Sequence, residues 1–366
     1  MSRAGPSLVA QWPAHQPPAA HRGIGLTVIN FNTAVQTLRC LDSIAASQEA
    51  PAWVLVLDNA SAAENFQLLV QSCRALGRSQ LRLYRSETNL GFAAGSNFLI
   101  EQLMAEPDCR FAGLINNDAV AKPSMVTRLV DAMAGEPGRV GLTGGRMHKL
   151  HAPDEVDTLG IAIYSSLMPA DRKSTADPYF GPSGGCCMLA RELIEELEAT
   201  CDYCFDDRFF CYCEDTDLVL RANLLGYQPA YVDEILALHE GQASSGSGYN
   251  PFIAYHGIRN TLWMHLKLMP TAILVRHCAW LLLLHAMIIA RTLAVGHVRL
   301  LFSIYRDALA QRRAFWDERR RFQRHVRVTP AQLAQRFAPR FYRKGYLRLV
   351  AAQLWAQHRK KADLTR

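Results

Sequence analysis

Between residues 25 and 118 the chain repeats one pattern: a short apolar run, a few polar residues, then a helix-like stretch. Leu26–Phe31 is followed by a helical stretch from about Thr33 to Ser47, and Trp53–Leu57 ends in Asp58-Asn59 before a helical segment around Glu64–Leu76. Leu81–Tyr84 precedes a helix from about Phe92 to Met104, and Phe111–Ile115 ends in Asn116-Asn117-Asp118. Short strands alternating with helices imply parallel βαβ units and an α/β fold. The polar residues then fall at the strands' carboxyl ends, the edge at which open α/β sheets bind ligands.

Beyond Val140 the rhythm loosens, and residues 146–182, with scattered Gly, Pro, Asp and His, read as loops with short strands. Gly184–Ala190 reads as a strand, and a helix from about Glu214 to Leu225 stops at Gly226, a residue suited to the position after a helix end. Pro229–Val232 reads as a short strand with His239 beyond it, and the Ser/Gly-rich stretch Gly241–Gly248 as a mobile loop able to close over a bound ligand. The sequence thus divides into a Pro/Ala-rich flexible lead over 1–22, a catalytic α/β domain over 23–250, an apolar helical segment over 251–310 and a basic helical tail over 311–366.

Charge follows the same division. Residues 299–366 hold 18 Lys/Arg against 4 Asp/Glu, while the rest of the chain holds 22 against 29. An acidic body with a basic tail suits an anionic surface. The densest apolar stretch, Cys278–Ala290 between Arg276 and Arg291, is shorter than the roughly 20 residues that cross a bilayer, so helices lying in a membrane interface are expected. Ten irregularly spaced cysteines and an N-terminus without an apolar core point to reduced thiols in the cytoplasm. Cys201, Cys204, Cys211 and Cys213 are spaced too tightly for a structural zinc site and read as buried free thiols.

Three groups of polar residues carry chemistry. Asp118, at the end of an apolar run, is a candidate ligand for a divalent cation, and His239 could complete its shell as a neutral imidazole. Glu214, Asp215 and Asp217 crowd the first turn of a helix just after Phe209-Phe210-Cys211-Tyr212-Cys213; there the helix dipole favours carboxylates, and the neighbouring aromatic rings desolvate them into better bases. Asn89-Leu-Gly-Phe-Ala-Ala-Gly-Ser-Asn97 is a Gly-rich turn entering a helix, as phosphate-cradling loops do, without the order of the dinucleotide fingerprint.

The order of these segments carries a resemblance. Val28-Ile-Asn-Phe-Asn, Leu57-Asp-Asn-Ala-Ser, Asn89–Asn97, Ile115-Asn-Asn-Asp, Gly184-Gly-Cys-Cys-Met-Leu-Ala-Arg, Phe205–Leu218, His239 and Tyr255-His-Gly-Ile-Arg-Asn260 with Lys267 and Pro270 together resemble family 2 glycosyltransferases, in particular the rhamnosyltransferase-like branch serving bacterial surface polysaccharides. The resemblance implies a GT-A nucleotide-diphospho-sugar transferase fold, with a mixed, mainly parallel sheet flanked by helices, and inverting transfer by single displacement. It implies that Asp58 holds the base of the donor, with Asn30, Asn59, Asn89, Gly91, Asn97 and Asn117 around the nucleotide. Asp118 and His239 would bind Mg2+ or Mn2+ with the diphosphate, Asp215 would be the catalytic base with Glu214 beside it, and Asp217 would orient the helix or the acceptor. The expected partners are a nucleotide-sugar donor, dTDP-rhamnose or a UDP-hexose, a polyprenyl-linked or saccharide acceptor, and an anionic membrane on the cytoplasmic side, with no nucleic acid. Asn116-Asn117-Asp118 departs from the family's Asn-Pro-Asp or Asp-x-Asp in carrying one acid, so the cation should lean on the diphosphate oxygens. A non-catalytic nucleotide-sugar binder would be expected to lose the acids at 118 and 215. A dinucleotide-dependent oxidoreductase would need glycines where Asn30-Phe-Asn-Thr stands.

Overall fold

The computed structural model describes residues 5–12, 22–76, 80–135, 138–241 and 250–345. Its strands are β1 (Ser7–Trp12), β2 (Ile24–Asn30), β3 (Trp53–Asn59), β4 (Gln80–Ser86), β5 (Phe111–Ile115), β6 (Ala119–Ala121), β7 (Val140–Lys149), β8 (Ala152–Thr158), β9 (Ile161–Ile163), β10 (Pro169–Asp171), β11 (Cys186–Ala190) and β12 (Gln228–His239). The first six helices are α1 (Ala34–Ala45), α2 (Ala63–Leu76), α3 (Gly91–Met104), α4 (Met125–Gly135), α5 (Arg191–Cys201) and α6 (Glu214–Leu224). A helical C-terminal part follows: α7 (Pro251–Lys267), α8 (Thr271–Arg276), α9 (Cys278–Ala294), α10 (Val298–Ala310), α11 (Arg312–Phe322) and α12 (Pro330–Ala334).

The main sheet runs β1-β4-β3-β2-β5-β11-β7-β12-β6, with β8 beside β7. Strands β4, β3, β2 and β5 are mutually parallel, as the βαβ rhythm requires. The chain builds outward from β2 through β3 to β4, then returns to place β5 on the other side of β2. That reversal opens a crevice at the carboxyl ends of β2 and β5, where polar side chains from both strands can meet. Alternate residues of β3 feed the two cores. Trp53, Leu55 and Leu57 pack with α3, α5, α6 and α7, whereas Val54 and Val56 pack with α1, α2 and α4.

The structure departs from the sequence reading at two places and gives detail to it at a third. Ser7–Trp12, within the stretch expected to be a flexible lead, pairs antiparallel with β4 and covers the sheet edge. The short strand expected over Pro229–Val232 is twelve residues long and carries His239 at its end. The segment 146–182 holds the β7–β8 hairpin and the small β9–β10 sheet. The expected loop Gly241–Gly248 lies outside the described residues from 242 onward, as does the tail from 346.

The C-terminal helices are fastened to the α/β body by a buried charge cluster. Lys267, at the end of α7, is wholly buried, with its ammonium 2.7 Å from Asp206 and 2.8 Å from Asp217. Arg221 bonds the other oxygen of Asp217 at 2.8 Å, and Glu318 of α11 bonds Tyr203 and Arg208. Removing one member of such a cluster strands the others as uncompensated buried charges. Lys267→Ala is therefore expected to cost about 3–5 kcal/mol, read as a lower urea midpoint, whereas a shift within error would show that the cluster does not hold the two parts together.

Candidate active site

The crevice between β2 and β5 is a cleft of about 210 Å3 lined by residues that include Phe31, Asn59, Asn89, Gly91, Asn116, Asn117 and Phe210. Of the expected nucleotide-pocket residues, Asn59, Asn89, Gly91 and Asn117 line it. Asn30 and Asp58 are fully buried neighbours on β2 and β3; the Asn30 amide donates to Asp58 at 2.8 Å, and Asp58 also accepts from the backbone N–H of Ser61. Asn59 donates to Asn89 at 3.0 Å and accepts from the Leu90 N–H, tying β3 to the turn that starts α3. Asn117 donates to Thr33 and Thr37 at the start of α1. Two expected residues are turned away from the cleft. Asn97 makes a double bond pattern with the backbone of Phe205, both contacts at 2.7 Å, and Asp217 is enclosed by Arg221 and Lys267. Asp217 thus ties α6 to Lys267 of α7.

Gly184-Gly185 links Asp215 to Asp118 through a chain of contacts. Asp215 accepts from the Gly184 N–H at 3.0 Å, and a side chain at Gly184 would press on Asp215 and on the Phe92 ring. The next carbonyl, of Gly185, accepts from the Asn116 N–H at 2.9 Å. The Asn116 amide lies 3.2 Å from His239 Nε2, which lies 3.0 Å from Asp118. Asp215 and the Asp118–His239 pair thus stand on either side of two glycines. Burial raises the Asp215 carboxyl above its usual range, partly offset by the N–H groups of Gly184 and Thr216. Glu214 is raised well above its usual range by burial and by the neighbouring Asp215.

Asp157, on β8, belongs to the site although nothing in the sequence marked it. Its carboxylate takes His239 Nδ1 at 2.7 Å, which turns Nε2 toward Asp118. Burial depresses the imidazole, but the bonds to Asp118 and Asp157 outweigh it and lift His239 to about 9. Neighbouring ligands of an octahedral cation, each about 2.1 Å from it, stand about 3 Å apart, which matches the Asp118–His239 separation of 3.0 Å. Among the described residues no set of three or more His, Cys, Asp or Glu forms a metal cluster.

The segment before α6 is strained. Phe210 has φ 63° and ψ −65°, and the Cys211 N–H donates to the Phe209 carbonyl at 2.7 Å. This is a γ-turn of the rare kind with positive φ. Tyr212 and Cys213 follow at φ 66° and 65°. Left-handed non-glycine residues cost on the order of 1–3 kcal/mol each and gather at functional sites. The Phe210 carbonyl accepts from the N–H groups of Phe92 and Ala93, so the γ-turn caps α3 across the cleft.

The comparisons with known proteins bear on the family and the fold. The profile of "Glycosyl transferase family 2" matches residues 26–198. Residues 26–198 thus carry the pattern of glycosyltransferase family 2. A curated relative, the N-acetylglucosaminyl-diphospho-decaprenol L-rhamnosyltransferase of Mycobacterium tuberculosis, is 25% identical over 262 residues, covering 63% of this chain and 80% of the relative. Among solved structures, a mannosyltransferase from Pyrobaculum calidifontis in complex with GDP-Man and Mn2+ aligns with TM-score 0.52 at 14% identity, covering 86% of this chain and 88% of that one. S. aureus TarS 1–349 in complex with UDP-GlcNAc aligns at 0.52 and 16%, covering 82% and 90%. These likenesses establish the GT-A fold for this glycosyltransferase.

Gly91 has φ +74°, and a Cβ there would lie 2.5 Å from the Phe210 ring and carbonyl. Gly91→Ala should cost about 1–3 kcal/mol in a denaturant titration and weaken nucleotide binding. Unchanged stability together with unchanged affinity would show that this close approach is not a constraint on the cleft.

Proposed function

We propose that this glycosyltransferase moves a sugar, rhamnose from dTDP-rhamnose, onto a polyprenyl-linked acceptor with inversion at the anomeric carbon. The observation that carries the reading is the placement of Asp215 on one side of Gly184-Gly185 and Asp118 with His239 on the other. The choice of rhamnose and of a lipid-linked acceptor rests on the similarity to the mycobacterial rhamnosyltransferase.

The nucleoside fits between Asp58, Asn30 and the Asn59–Asn89 turn, with the diphosphate directed toward Asp118. Asp118 and His239 would hold Mg2+ or Mn2+, which neutralises the departing diphosphate. The acceptor hydroxyl attacks the anomeric carbon. A C–O bond forms to the acceptor as the bond to the diphosphate oxygen breaks, and the hydroxyl proton passes to Asp215. Desolvation makes Asp215 a stronger base than a solvated carboxylate. Burial and Asp215 both favour the protonated form of Glu214, which lessens the negative charge beside Asp215.

The membrane is the second part of the proposal. No helix among the described residues is long and apolar enough to cross a bilayer. Yet α9 buries only Leu284 and Thr292, leaving Trp280, Leu282, Leu283, Ile289 and Leu293 exposed, and α10 exposes Val298, Phe302 and Leu309. From Gly241 to Arg306 the sequence has no acidic residue, while Arg276, Arg291, Arg299 and Arg306 lie along it. A helix apolar on most sides needs cover, and the arginines select an anionic lipid surface, into which α9 and α10 would lie flat.

Two outcomes are expected. Asp215→Asn should abolish sugar transfer while dTDP-rhamnose still raises the melting temperature in the presence of Mn2+; retained turnover would remove Asp215 as the base. The full chain should float with vesicles containing phosphatidylglycerol and fail to do so with neutral vesicles, and Leu282→Glu with Phe302→Glu should abolish flotation without unfolding. Equal flotation on both vesicle types would rule out an anionic surface as the partner.

A further inference from the structure

The strained segment Phe210–Cys213 is held from outside the α/β domain. Asn260 of α7 is fully buried, and its Nδ2 lies 3.0 Å from the Phe209 carbonyl, 3.0 Å from that of Cys211 and 2.7 Å from that of Tyr212. An amide has two N–H bonds, so three acceptors share them and the nitrogen is fixed among all three. Arg259 Nε donates to Asn260 Oδ1 at 3.0 Å, which sets the direction of the amide. Arg259 also reaches the Phe209 carbonyl, and the His256 ring stacks on Phe210 with centroids 5.6 Å apart. Without these partners the carbonyls of Cys211 and Tyr212 would lose the Asn260 donor and that of Phe209 would keep only the Cys211 N–H, around backbone angles that Phe, Tyr and Cys do not hold alone.

We infer that Asn260 is a positioning residue for sugar transfer: it holds the γ-turn at Phe210 and the left-handed residues Tyr212 and Cys213 in the one conformation that presents Asp215 to the cleft. The inference rests on Asp215 being the base. It makes α7, the first helix of the C-terminal part, a component of the catalytic apparatus as well as a link to the lipid-facing helices. The nucleotide pocket around Asp58 and Asn59 is built on β2, β3 and the start of α3, so it should feel the loss of Asn260 little.

The test is Asn260→Ala, read by hydrogen exchange and by kinetics. Peptides spanning residues 209–216 should exchange at least about tenfold faster than in the wild type. The turnover number should fall about 100-fold, as for a catalytic group displaced by about 1 Å, with nucleotide affinity kept within about threefold. Adding Tyr212→Gly should restore roughly tenfold of the loss, because glycine takes positive φ without strain. If the alanine variant does not fold, Asn260→Ser, which keeps one donor, should show the same changes in smaller measure. Unchanged exchange would overturn the inference, as would a parallel collapse of nucleotide affinity and turnover, or a glycine at 212 that restores nothing. A wild-type protein that binds nucleotide sugar but transfers none would sink the catalytic reading instead, and the exchange comparison would still decide whether Asn260 holds the loop.

Discussion

Gly184-Gly185 is the joint on which the site depends. Its first N–H holds Asp215, its second carbonyl holds the backbone of Asn116, and the space left by two missing side chains admits Phe92 and the Asn116 amide. A Cβ at Gly184 would lie 3.2 Å from the Phe92 ring and one at Gly185 3.1 Å from the Asn116 amide, so either would press on a side chain of the site. In the proposed reaction, the proton acceptor and the holder of the diphosphate are then related through two backbone hydrogen bonds at the glycines and the Asn116–His239–Asp118 contacts. Such preorganisation is what lets an active site supply much of its rate enhancement.

A second constraint is charge buried without water. Asp206, Asp217, Lys267, Arg221, Arg208 and Glu318 neutralise one another between α6, α7 and α11. Burial alone would push the Asp206 carboxyl up, but Lys267 and Arg208 hold it well below the usual carboxylate range. A cluster of this kind adds less net stability than its contacts suggest, since each ion loses its hydration. Its effect is geometric: it leaves one way for the C-terminal helices to sit on the catalytic helix. Asn260 and the apolar faces of α9 and α10 inherit their positions from that seating.

The parallel half of the sheet was legible because β2, β3 and β5 are continuous apolar runs, and because Asp58 and Asn116-Asn117-Asp118 mark where they end. The antiparallel half was not. The direction of β11 depends on its fit between β5 and β7, and nothing within Cys186–Ala190 encodes it. β8 reads Ala-Pro-Asp-Glu-Val-Asp-Thr, an edge strand with acids and a proline, so neither the strand nor the role of Asp157 could be seen from periodicity. Asn260 was visible as part of a helix, but the carbonyls it serves lie about fifty positions earlier. Asn97 and Asp217 look like ligand-binding residues in sequence, and the fold spends both on holding the segment that leads to Asp215.

The central claim is that one cleft serves both acids. A crystal structure of the protein with Mn2+ and a non-hydrolysable nucleotide-sugar analogue measures it directly. The account predicts the cation about 2.1 Å from Asp118 and bound also by His239 and the diphosphate, with the Asp215 carboxylate facing the anomeric carbon from the side opposite the phosphate. A cation bound away from Asp118, or an anomeric carbon that Asp215 cannot reach, would contradict it.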